Sequence, residues 1–209
     1  MANEFRTEQE KFWAGEFGDN YIDRNKGDKI LAGNIALFGR ILGRTSGVRS
    51  VIEFGANIGL NLAAIRALIP NVELAGIEIN QKAVSQLQSL GGIRVYPQSI
   101  LDFDPVAQSD LALIKTVLIH IEPDSLSRVY DLLHASSKRY ICLAEYYNPS
   151  PVEVVYRGNR EKLFKRDFAG EILDRFSDLR LVDYGFTYHR DPNFAQDDIS
   201  WFLLEKVRT

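Results

Sequence analysis

The sequence predicts an α/β fold: a mostly parallel, seven-stranded sheet with an antiparallel C-terminal hairpin, preceded by N-terminal helices. Three observations carry this expectation. Short β-prone runs alternate with helical segments from residue 50 to residue 176, the pattern of parallel strands joined by crossovers. The first of those runs leads straight into small or left-handed-tolerant residues, Gly55, Asn57 and Gly59, as a strand-to-helix turn requires. The last two β-prone runs follow one another with no room for a helix, and only antiparallel pairing fits that spacing.

Taken in order, residues 7–13 have helical composition, and residues 29–42 place Ile30, Asn34, Leu37, Phe38 and Ile41 on one face at helical spacing. These predict a helical cap over residues 1–45. Residues 50–54 read as the first strand and 60–69 as a helix that Pro70 stops. The alternation continues with strand 72–77, helix 81–90, strands 93–96 and 111–114, helix 124–135 and strand 140–144. A helix over 167–176 precedes the closing strands 179–188 and 199–206. In 209 residues there is no internal repeat and no Pro/Gly/Ser linker, so a single domain is expected over 1–209, with residues 145–168 as an insertion at its acceptor side.

Composition narrows the function. Apolar residues are 45% and charged residues 25%, which excludes a disordered or fibrous chain. No run approaches the ~18 apolar residues of a membrane span, and Glu4, Glu8 and Glu10 make the N-terminus too acidic for a leader, so a cytoplasmic location is expected. The net charge of −3 provides no global field for nucleic acid or an anionic membrane, so neither is an expected partner and any anion site must be local. Cys142, the single cysteine, lies in an apolar run and reads as a buried strand residue. The three histidines, His120, His134 and His189, are widely separated, and no metal site is expected. His134 reads as a surface residue on the polar side of its helix.

The residues with chemistry begin at the first strand. Glu53 precedes the turn of Gly55, Asn57 and Gly59, where backbone can approach a ligand closely. The same turn can also join a strand to a helix with no ligand at all. Glu78 ends the second strand, 19 positions beyond Gly59, where an acidic side chain accepts hydrogen bonds from the ribose of an adenosine cofactor. A carboxylate at Glu53 would repel a pyrophosphate but receive an ammonium group, which points to S-adenosylmethionine and away from NAD.

With these residues in view, the chain resembles class I S-adenosylmethionine-dependent methyltransferases, a likeness running from Glu53 to Glu205. It resembles more specifically the pseudaminic acid biosynthesis-associated methylases. The stretches that carry the closer likeness are TEQEKFW at 7–13, EFGDNY at 16–21, VLIHI at 117–121, AEYYNPSP at 144–151, KLFKRDF at 162–168 and HRDPNF at 189–194. The resemblance implies a Rossmann-like methyltransferase sandwich. It implies that Glu53, Gly55, Asn57, Gly59, Glu78 and Ile79 hold the cofactor, with Asn57 in the middle glycine position. It also implies that Ser99 replaces an acid facing the adenine amino group while Ile100 packs on the ring.

Three segments could build an acceptor pocket. Arg157, Arg160, Lys162, Lys165 and Arg166 form a basic cluster suited to a carboxylate or phosphate, or simply a solvated face. Tyr146, Tyr147 and Asn148 follow the fifth strand, at the edge where ligands bind, and the tyrosine faces could meet a sulfonium. Tyr21 joins the substrate-side residues. His120, near the transferred methyl, and His189, on the hairpin, are the candidate bases, with Tyr147 beside them. The expected activity is methyl transfer to a hydroxyl or amine of a small, anionic sugar or sugar nucleotide of a nonulosonic acid pathway. Intramolecular cyclisation of the cofactor with release of methylthioadenosine, and a non-catalytic cofactor-binding protein, are the alternatives.

Overall fold

The computed structural model describes residues 5–207. Three helices open the chain: α1 (Glu8–Ala14), α2 (Glu16–Arg24) and α3 (Asp28–Leu42). Thr7 caps α1 by accepting from the Glu10 N–H, while the Glu10 carboxylate accepts from the Thr7 N–H, a reciprocal capping box. All three helices fall within residues 1–45, of which residues 1–4 lie outside the described residues. The sequence reading did not separate α2, which Gly15 divides from α1 by one extended residue.

Each strand run of the sequence becomes a strand. They are β1 (Ser50–Phe54), β2 (Glu73–Glu78), β3 (Ile93–Pro97), β4 (Ser109–Lys115), β5 (Ser137–Glu145), β8 (Leu179–Phe186) and β9 (Ser200–Lys206). Between β5 and β8 the insertion adds a two-stranded ribbon of β6 (Val152–Glu153) and β7 (Phe164–Lys165) that the sequence did not announce. The large sheet runs β3-β2-β1-β4-β5-β9-β8, parallel except for β9, which is antiparallel to both neighbours. The strand order reverses between β1 and β4, and this opens a crevice at their carboxyl ends.

Both sheet faces are apolar, because alternate residues of a parallel strand enter opposite layers. Ile52, Phe54, Ile114, Ile141 and Leu143 face α6 (Leu126–Ser136) and α7 (Phe168–Arg175), meeting Val129, Leu133 and Ile172. Val51, Leu111, Leu113 and Cys142 face α3 and α4 (Leu60–Leu68), meeting Leu37, Ile41, Leu62 and Ile65. Between β2 and β3 lies α5 (Gln81–Ser89). Cys142 is fully buried, and burial pushes its thiol up to about 12. His134 is partly exposed: its ring stacks on Phe176 at 4.1 Å and its Nε2 lies 3.0 Å from the Asp178 carboxylate. No helix among the described residues is long and apolar enough to cross a membrane.

Candidate functional site

The turn after β1 takes the conformation its residues allow. Gly55, Asn57 and Gly59 all have positive φ, at 76°, 47° and 84°. Asn57 thus occupies the left-handed region that made it acceptable in a glycine position. The two glycines serve packing as well as ligand approach. A Cβ on Gly55 would lie 2.6 Å from Val117 Cγ2, and one on Gly59 would lie 2.6 Å from Leu87 of α5. At Gly59 the neighbour that excludes a side chain is thus a helix, α5.

Two carboxylates flank this turn. Glu78 accepts from the Asn57 N–H and the Asn80 N–H, both at 2.7 Å, so it fixes the turn as well as facing the crevice. Burial raises its carboxyl above the usual range against the pull of those N–H groups. Glu53 is fully buried. Its Oε1 accepts from Asn61 Nδ2 at 2.6 Å and its Oε2 has no partner. Burial drives this carboxyl up to about 8.

A cavity of about 460 Å³ opens over the turn. Its floor is the carboxyl edge of β1, β2 and β4. Its roof is the helical cap, with Trp13 and Tyr21, and one wall is the segment of Ala195, Gln196 and Asp197. The cap is pinned where it meets the sheet: Asn80 Nδ2 donates to Asp19 at 2.8 Å and to the Trp13 carbonyl at 3.2 Å. Beside Ser99, the buried Glu10 of α1 accepts a hydrogen bond from the Ser99 hydroxyl. A carboxylate therefore stands next to Ser99, delivered from a distant part of the chain.

His120 lies in a short 3₁₀ turn after β4 and is buried against Trp13 at 4.6 Å and Tyr156 at 5.1 Å. Its Nδ1 is 2.6 Å from the Lys162 carbonyl. A carbonyl only accepts, so Nδ1 carries the proton and Nε2 keeps a free lone pair. Burial lowers this imidazole to about 4, which makes it neutral at pH 7. Lys115 ends β4 half-buried on the cavity wall, and burial lowers its ammonium below the usual value while Glu53, Asp197 and Glu145 oppose the shift. Glu145 Oε1 accepts from the Val117 and Leu118 N–H groups, which orients the loop bearing His120.

Of the residues proposed from sequence, Gly55, Asn57, Glu78, Ile79, Ser99, Ile100, Tyr21, His120 and His189 line this cavity. Glu53 and Gly59 are buried and do not line it. His189 is more than half exposed and is held by Asp198 at 2.8 Å. Tyr146, Tyr147, Asn148, Arg157, Lys165 and Arg166 do not line it. Tyr147 is exposed with its ring 6.1 Å from Phe202, and Tyr146 lies under the Lys165 ammonium at 5.1 Å. Asn148 bonds the Ser150 carbonyl. Arg166 is paired with Glu171 at 2.6 Å, and Arg157 lies exposed beside Tyr156. The basic run diverges because β7 alternates its side chains and the preceding loop turns through positive φ at Arg157, Gly158 and Glu161. Lys115, Asp197, Asn61 and Glu10 are site residues the sequence reading missed. Only Lys115 left a signal, as a charge ending an apolar strand.

No protein-family model matches the chain, and no curated protein matches it in sequence. Solved structures match over nearly its whole length. A 1,6-didemethyltoxoflavin-N1-methyltransferase of Burkholderia thailandensis, with 1,6-didemethyltoxoflavin and S-adenosylhomocysteine bound, aligns at TM-score 0.69 and 15% identity, over 96% of this chain and 87% of that one. Magnesium protoporphyrin IX methyltransferase of Synechocystis PCC 6803, with bound S-adenosylhomocysteine, aligns at 0.67 and 15%, over 94% and 97%. A plantazolicin methyltransferase in complex with a pentazolic substrate analogue and S-adenosylhomocysteine aligns at 0.65 and 16%, over 92% and 90%. The strand order and these likenesses together give the chain the Rossmann-like class I methyltransferase fold.

Proposed function

We propose that this protein transfers a methyl group from S-adenosylmethionine to a small-molecule acceptor. The observation that carries the reading is the left-handed turn of Gly55, Asn57 and Gly59 set between two buried carboxylates, Glu53 and Glu78, beneath a cavity large enough for a nucleoside. The unpartnered Glu53 Oε2 fits a cationic amino group, and Glu78 retains lone pairs for ribose hydroxyls beyond those used on the backbone. Glu10, together with Ser99, offers a carboxylate for the adenine amino group. That the similar folds were solved with S-adenosylhomocysteine bound supports the same donor here.

When bound, the donor supplies an electrophilic methyl on a sulfonium. The protein's task is to hold the acceptor in line with it and keep water out, which the cap of α1 and α2 serves. His120 Nε2 takes the acceptor's proton as the new bond forms, and its neutrality leaves the lone pair available. Trp13 and Tyr21 offer flat apolar faces to a ring. A sugar or sugar nucleotide of a nonulosonic acid pathway, methylated on a hydroxyl or amine, is the acceptor implied by the family resemblance. The basic residues Arg157, Lys165 and Arg166 do not line this pocket.

Calorimetry with S-adenosylhomocysteine and NAD tests the donor: tight binding of the first and none of the second is expected, and the reverse overturns the reading. Incubation with labelled S-adenosylmethionine and sugar nucleotides should yield S-adenosylhomocysteine and a labelled acceptor. Methylthioadenosine above the spontaneous rate, without acceptor, would replace transfer by cyclisation.

A further inference from the structure

Lys115 is the one lysine or arginine on the cavity wall among the described residues. The β1–β4 register pairs Phe54 with Ile114, so Lys115 stands level with Gly55, where the turn begins. Three carboxylates reach it electrostatically, Glu53, Asp197 and Glu145, yet it forms no ion pair or hydrogen bond with any of them. Both Glu53 and Glu145 keep an oxygen that is buried and unpartnered. A lysine placed merely to neutralise Glu53 would close onto that oxygen, because buried unpaired polar atoms are costly. Instead the next residue, Thr116, holds a β-branched side chain at φ 54°, a strained backbone that directs the chain away from β4 at this point.

An unpaired ammonium and an unpartnered carboxyl at the start of the turn are complementary to a ligand that carries an ammonium and a carboxylate on one carbon. We propose that Lys115 binds the α-carboxylate of the donor's amino-acid group while Glu53 receives its ammonium, the two side chains clamping a zwitterion. This rests on the donor assigned above and extends it to a residue outside the turn. The pocket's acidic excess explains the need: Glu10, Glu78, Glu122 and Asp197 on its lining favour a cationic ligand but would reject its carboxylate unless one cation is held in place.

The test is calorimetry with two probes, S-adenosylhomocysteine and its decarboxylated analogue, which keeps the amine and thioether. Wild type should prefer the first by roughly 30-fold, the scale of a charge-assisted hydrogen bond. In Lys115→Met that preference should vanish, with affinity for the decarboxylated probe unchanged within about threefold. Lys115→Arg keeps the charge and should retain most of the preference, which separates a lost contact from a misfolded site. If Lys115→Met binds S-adenosylhomocysteine as wild type does, or loses both probes equally while Lys115→Arg also loses its preference, the clamp is wrong and the donor assignment stands. Wild type that binds neither probe overturns the donor assignment and the clamp together.

Discussion

Replacing Glu53 with glutamine should stabilise the empty protein at alkaline pH and weaken donor binding, a trade that follows from the environment of one side chain. Glu53 is fully buried, has one hydrogen bond from Asn61 and one oxygen with no partner. Its carboxyl titrates at about 8 in the folded chain against an ordinary value of 4.5, chiefly because burial disfavours the charge. The folded value is raised, so the stability associated with the protonated group is complete below pH 4.5 and is lost as pH rises through 8. Each pH unit in that window costs about 1.4 kcal/mol, which sets a ceiling of about 3.5 kcal/mol at pH 7. Glutamine escapes this loss. It still accepts from Asn61 Nδ2, or donates to Asn61 Oδ1, which itself lacks a partner. Chemical denaturation at pH 5 and pH 8 should therefore show Glu53→Gln roughly equal to wild type at the lower pH and more stable by about 2–4 kcal/mol at the higher. Calorimetry on the same variant should show S-adenosylhomocysteine bound about tenfold or more weakly. A stability difference that does not change with pH would refute the buried-charge reasoning, whatever happened to binding.

Gly59→Ala introduces a Cβ at φ 84° and 2.6 Å from Leu87, so denaturation should show a loss of about 2–4 kcal/mol, and a loss below about 1 kcal/mol would mean that α5 yields easily. His120→Gln should lower turnover about a hundredfold while S-adenosylhomocysteine affinity holds, whereas a parallel fall in both would make the ring a packing element. Because His120 is neutral down to about pH 4 when folded but titrates at 6.5 when unfolded, its contribution is full above pH 6.5 and falls by about 3 kcal/mol toward pH 4. That pH-dependent component should be absent from denaturation curves of His120→Gln.

The strands, the crossovers, the antiparallel close and the glycine turn were legible in the amino-acid order, because these follow from neighbours along the chain. Apolar periodicity, Pro70 and the left-handed tolerance of Asn57 are local properties, and the observed elements Ser50–Phe54, Leu60–Leu68 and Ser200–Lys206 lie within a residue or so of the runs that predicted them. Placing the first-strand and second-strand acids at the same crevice was also legible, since the parallel register of β1 and β2 brings their ends together. The composition of the cavity was not. Glu10 meets Ser99 across 89 positions, and Lys162 meets His120 across 42. The basic run at 157–166 looked like a site because its charges are close in sequence, but strand alternation and left-handed residues send them in different directions. Whether a side chain faces a ligand depends on where the chain returns in three dimensions, and so the tertiary structure alone decided that Lys115 lines the cavity while Arg166 pairs with Glu171 outside it.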